Sequence, residues 1–87
     1  MCDSYEIINA EEIRSFLTRK FGINGTRIFI SIVRIFSNPT KKNLTFQGKN
    51  ILRARISNKI RICAYILDNC QVHIYLIDTN HSTNQCP

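Results

Sequence analysis

Apolar residues along this chain recur first at helical spacing and later at every second position, and that change of period divides the chain in two. Tyr5-Glu6-Ile7-Ile8 reads as a short first strand. Asn9-Ala10-Glu11-Glu12 reads as a helix start: the Asn9 side chain can accept from the backbone amide near Glu12, Glu12 can reach back, and acids at this end suit the helix dipole. Ile13, Phe16, Leu17 and Phe21 follow as one apolar stripe, and Gly22 ends the helix. Ile23-Asn24-Gly25 is a tight connection, with Thr26 as the second cap. The next segment, RIFISIVRIF, is rich in β-branched and aromatic residues. Its polar positions Arg27, Ser31 and Arg34 are nevertheless spaced by four and three, which predicts a second helix. Ser37-Asn38-Pro39 stops it, because a residue before proline is pushed out of the helical region. Thr40 to Asn50, with Lys41, Lys42, Gly48 and Lys49, is then a basic loop.

Period two takes over at Ile51. Three strands follow, Ile51 to Ile56, Lys59 to Leu67 and Gln71 to Ile77, with Asp68-Asn69 as a two-residue hairpin turn. The expected fold class is α+β. A short N-terminal strand and two helices pack on one face of a small antiparallel sheet that ends in a three-strand meander, all within one domain, 1–87. Alternation sends Leu52, Ala54, Ile56, Ile60, Ile62, Ala64, Ile66, Val72, Ile74 and Leu76 to the core. Arg53, Arg55, Arg61, Cys63, Tyr65, His73 and Tyr75 then share the open face. That face is either the wet side of a half-buried sheet or a binding surface.

Charge favours the second alternative. The 87 residues carry a net charge of +6. All twelve Lys and Arg fall between Arg14 and Arg61, while the acids lie at or before Glu12 or at Asp68 and Asp78. A segregated basic surface attracts phosphate backbones or an acidic protein segment before any specific contact forms. With 44% hydrophobic and 21% charged residues the composition is that of a folded globular domain. No apolar run approaches the roughly 18 to 20 residues that span a bilayer, so no membrane partner is expected.

The acidic, polar start MCDSYEIINAEE has neither the basic nor the apolar region of an export signal, and this places the chain in the cytosol. There Cys2, Cys63, Cys70 and Cys86 are expected as free thiols. A metal site would have to come from Cys63, Cys70, His73, His81 and Cys86. The single Cys70-x-x-His73 pair has no second matching knuckle, so neither metal nor cofactor is expected.

The element order, a Tyr-led strand, two helices closed by Asn38-Pro39, the approach Gln47-Gly48-Lys49 and the run LRARISNKIRICAYILDNCQVHIYLIDTNH, resembles the RelE/ParE superfamily of toxins from type II toxin-antitoxin modules. The resemblance spans nearly the whole chain. In its RelE-like branch it implies a toxin that is an endoribonuclease, or mRNA interferase, cleaving ribosome-bound mRNA and arresting translation. Its implied partners are the ribosome, mRNA and a cognate antitoxin, the last in a toxin-antitoxin hetero-oligomer. The alternative is a non-catalytic binding protein of the same fold, either a ParE-like gyrase inhibitor or a degenerate toxin that keeps antitoxin binding.

Carried over by position, the resemblance puts Arg61 where the phosphate-contacting arginine sits, Arg53 and Arg55 on the basic strand, and His81 at the terminal basic element. Arg61, His81 and Arg55 are then the catalytic candidates, and Arg53, Lys49, Lys59, Tyr65 and Tyr75 the RNA-binding ones. Guanidinium groups suit the phosphate because they stay charged and present a planar fork of donors. His81 titrates near neutrality and is the candidate general base or acid. Three departures from the pattern weaken the expectation of catalysis: Ser82 follows the histidine where many relatives have a basic residue, Cys86 or Pro87 stands where they have an aromatic, and Arg53 and Arg55, poor proton carriers, stand where some active relatives have lysines.

Overall fold

The computed structural model describes residues 2–80 and 86–87. A two-residue strand, β1 (Glu6–Ile7), leads into helices α1 (Ala10–Phe21) and α2 (Ile23–Ser37). Four strands follow: β2 (Leu44–Phe46), β3 (Ile51–Arg55), β4 (Arg61–Leu67) and β5 (Gln71–Asp78). They form one sheet in the order β1-β5-β4-β3-β2. The fold is α+β as expected, but the sheet is mixed rather than antiparallel, because β1 runs parallel to β5.

Both helices bury the stripe that their sequence offers. Ile13 and Leu17 of α1 and Ile32 and Phe36 of α2 join Leu52, Ala54, Ile62, Ala64, Val72 and Ile74 of the sheet in a single core. Phe16 lies outside it and stays exposed. The helices are joined by one residue, Gly22, whose φ of 63° is a left-handed conformation that glycine enters without a Cβ clash. The second helix therefore starts at Ile23 and not at the predicted cap Thr26. Gly25 makes the tight turn fit, since a Cβ there would sit 2.0 Å from the Leu17 carbonyl oxygen.

Asn9 precedes α1 as predicted but makes no side-chain cap hydrogen bond. Its amide turns instead to the edge of β5, beyond the point where β1 ends. Asn9 Nδ2 donates to the Ile74 carbonyl at 2.8 Å, and Ile74 N–H donates to Asn9 Oδ1 at 3.0 Å.

The basic loop contains a strand that alternation did not reveal: Leu44, Thr45 and Phe46 pair antiparallel with Ala54, Arg53 and Leu52. The β4–β5 connection is a three-residue 3-10 turn, Asp68–Cys70, rather than a two-residue one, with Asn69 and Cys70 at φ near +60°. β4 begins two residues later than expected because a turn occupies 57–60, where the Ser57 hydroxyl accepts from the amides of Lys59 and Ile60.

A bulge resets β5. Cys63 pairs with Leu76 and Ala64 with Ile74, which leaves Tyr75 as the extra residue. Past it the faces exchange. Ile77, opposite Ile62, packs on the core, and Leu76, expected there, lies opposite Cys63 on the other face. The same shift carries Asp78 out of the apolar register and sets it across from Arg61.

All four described cysteines are paired, Cys2 with Cys70 and Cys63 with Cys86, which corrects the expectation of free thiols. Among the described residues no helix is long and apolar enough to cross a membrane.

Candidate functional site

The register of β3 against β4 fixes the centre of the open face. Arg53 is opposite Cys63 and Arg55 is opposite Arg61. Two residues along one strand and one step across the ladder define a small rectangle on a single face of a sheet. Arginines hold three of its corners. Cysteine 63, bonded to Cys86, holds the fourth.

The three arginines are held differently. Arg55 is exposed, and its Nη2 donates to Asn58 Oδ1 at 3.0 Å. Arg53 is half-buried, and its Nε is buried with no hydrogen-bond partner among the described residues. Arg61 is only 6% exposed. Its Nη1 donates to the carbonyls of Ser57 and Ile60 and so braces the turn before its own strand. Burial pushes the Arg61 guanidinium below its ordinary pKa, the charges of Arg55 and Arg53 push it further, and Asp78 opposes them. Three cations in one cell repel, and Asp78, across the ladder from Arg61, offsets part of that repulsion.

Beside the cell lies an aromatic pair. Tyr65 and Tyr75 stack with ring centroids 4.2 Å apart and planes 21° from parallel. Tyr75 is the extra residue of the bulge, and Tyr65 stays 45% exposed. His73 is the cross-strand neighbour of Tyr65. Burial, and then Tyr65, raise the Tyr75 phenol above its ordinary pKa.

Of the remaining candidates, Lys59 is exposed in the turn next to Arg55 and Arg61, at the same end of the sheet. Lys49 precedes β3 at its other end, away from the cell, where it is also exposed. His81 lies outside the described residues. Among the described residues no group of three or more His, Cys, Asp or Glu could hold a metal ion.

Several contributors to this face carried no signal in the sequence. Cys86 is held by its disulfide and by a two-way amide clasp: Gln47 Nε2 donates to the Cys86 carbonyl, and Cys86 N–H donates to Gln47 Oε1, both at 3.0 Å. Tyr75 Oη donates to the Pro87 carbonyl at 3.0 Å. Asp78, whose position depends on the bulge, could be found only from the register.

Comparison with protein-family models, with curated proteins and with solved structures finds no match to this chain.

Proposed function

We propose that this protein acts on RNA through the open face of its sheet, as a RelE-like toxin that cleaves ribosome-bound mRNA and is restrained by a cognate antitoxin. One observation carries the reading: three arginines occupy one cell of a β-ladder, beside a stacked tyrosine pair with an exposed ring. Guanidinium groups stay charged and offer phosphate a planar fork of donors, and an exposed tyrosine offers a base a surface to stack on. The opening strand, the helix pair and the three closing strands follow the order that the RelE/ParE resemblance implies, with β2 and the parallel pairing of β1 added to it, and that partial agreement supports the same reading.

In the proposed reaction the 2′-hydroxyl attacks the adjacent phosphorus and the 5′-oxygen leaves. Arg55 and Arg53 neutralise the crowded phosphate, and His81 moves the proton. Arg61 contributes charge and holds the 57–60 turn that places Arg55 and Lys59.

The burial of Arg61 and its hydrogen bonds to backbone carbonyls favour a second reading, a non-catalytic binder of the same fold. Single-turnover cleavage of ribosome-bound mRNA across pH separates the two. The nuclease reading predicts cleavage that His81→Ala slows by about 10²-fold to 10⁴-fold and Arg55→Ala by about 10²-fold to 10³-fold. Binding without cleavage supports the second reading, and absence of both overturns both.

A further inference from the structure

At the end of the sheet where Arg55 lies, the 57–60 turn and the two helices leave a cleft of about 430 Å³ between them. Phe21 of α1 and Ile28 of α2 line one side, and Ser57, Asn58, Lys59 and Ile60 of the turn line the other. Phe21, Ile28 and Ile60 are each only half-buried, although periodicity placed Phe21 and Ile60 in the core. Three apolar side chains therefore border one opening.

The surround of this apolar cleft is basic. Asn58 belongs both to the cleft and to the arginine cell, since its Oδ1 accepts from Arg55 Nη2 at 3.0 Å. Lys59 is an exposed wall residue, and on the helix side Lys20 holds its Nζ 5.5 Å from the centre of the Phe21 ring. None of the residues that line the cleft is acidic, and Asp78, next in the chain to the lining residue Thr79, is buried opposite Arg61. A low-dielectric cleft rimmed by one sign of charge concentrates ligands of the other sign. The ligand that suits it is an anion with an apolar body.

We propose that this cleft is a nucleotide subsite, which takes the base of the nucleotide whose phosphate Arg55 holds. This rests on the RNA reading above and adds where one base of the strand is placed. The Arg55–Asn58 hydrogen bond sets phosphate site and cleft one side chain apart, so both can act on the same nucleotide. A base has apolar faces and a polar edge, and its faces bury against Phe21, Ile28 and Ile60. A guanidinium can only donate, so Asn58 gives Arg55 its oxygen and keeps its N–H groups for the base edge.

The test uses the full chain in solution NMR with four probes: a single-stranded uridine RNA hexamer, the same hexamer without its bases, uridine 5′-monophosphate, and octanoate. The subsite predicts nuclear Overhauser contacts from uracil protons of the hexamer to the Phe21 ring and to the Ile28 and Ile60 methyl groups. Phe21→Leu keeps an apolar side chain and removes the ring, and core amide protection reports that it is folded. It should weaken the uridine hexamer about fivefold or more, the size of a base–aromatic contact, and leave the abasic hexamer unchanged. Hexamer binding that shifts Arg53 and Arg55 with no uracil contact in the cleft, or that Phe21→Leu leaves unaltered, overturns the subsite while the RNA reading stands. Uridine monophosphate bound in the cleft as tightly as the hexamer identifies a free nucleotide as the ligand, and octanoate bound there more tightly identifies an acyl anion. Either result overturns the assignment to an RNA strand. No binding of the hexamer overturns the RNA reading, and the subsite falls with it.

Discussion

Asn9 and Ile74 are joined by two hydrogen bonds that extend the β1–β5 ladder past the last residue of β1. A side-chain amide has the same donor and acceptor pair as a peptide group, so one asparagine can stand in for a further strand residue. Asn9→Ala leaves both polar groups of Ile74 without this partner and should cost about 1–3 kcal/mol in denaturant unfolding. Asn9→Asp keeps the acceptor but sets a carboxylate against the Ile74 carbonyl, so it should also destabilise. Exchange at the Ile74 amide should quicken in Asn9→Ala; an unchanged midpoint and unchanged exchange would contradict this account.

Gly25 and Gly48 separate packing from backbone strain. A Cβ at Gly25 would meet the Leu17 carbonyl carbon at 2.4 Å and its oxygen closer still, so Gly25→Ala must push α1 and α2 apart. The expected loss is about 1–3 kcal/mol or more, as in other overpacked interiors. Gly48 has φ +82° with nothing within 4 Å, so Gly48→Ala should cost only the conformational term, about 1 kcal/mol. Equal shifts of the two denaturation midpoints would be inconsistent with the helix contact.

Much of this fold was legible because it depends on local period. The spacing of Arg27, Ser31 and Arg34 identified α2 despite its β-branched residues, and the alternation from Leu52 to Ile62 assigned Arg53, Arg55 and Arg61 to one face. What escaped depends on pairing between distant residues. β2 is three residues inside a polar run, too short to show a period. The extra residue at Tyr75 exists only relative to β4, so the exchange of Leu76 for Ile77 and the arrival of Asp78 beside Arg61 could not be read from β5 alone. Asn9 and Gln47 are ordinary cap and loop residues until the backbone they clasp is in place. The cysteine pairs span separations of 68 and 23 residues, and an expected reducing compartment pointed away from both.

Tyr75 ties pH to the hydrogen bond that its hydroxyl gives Pro87. Its pKa lies above the ordinary 10.0, first through burial and then through Tyr65. Because the folded value is raised, the stabilisation from the neutral phenol is complete below the ordinary value and is lost as pH rises through the folded one. Ionisation also removes the donor to the Pro87 carbonyl. A tyrosine resonance titration should show a Tyr75 midpoint above 10.0 that Tyr65→Phe lowers part of the way. A midpoint at or below 10.0 in wild type would rule out this packing of the ring.

The claim that the arginine cell binds a phosphate backbone is tested most directly by the salt dependence of RNA affinity, measured on the full chain with a single-stranded oligonucleotide. Phosphate contacts from Arg53 and Arg55 at about −0.7 each predict a slope of log affinity against log salt of about −1.4, and Arg55→Gln should reduce it by about 0.7. A slope near zero, or one that Arg55→Gln leaves unchanged, would show that this face does not hold RNA through its arginines.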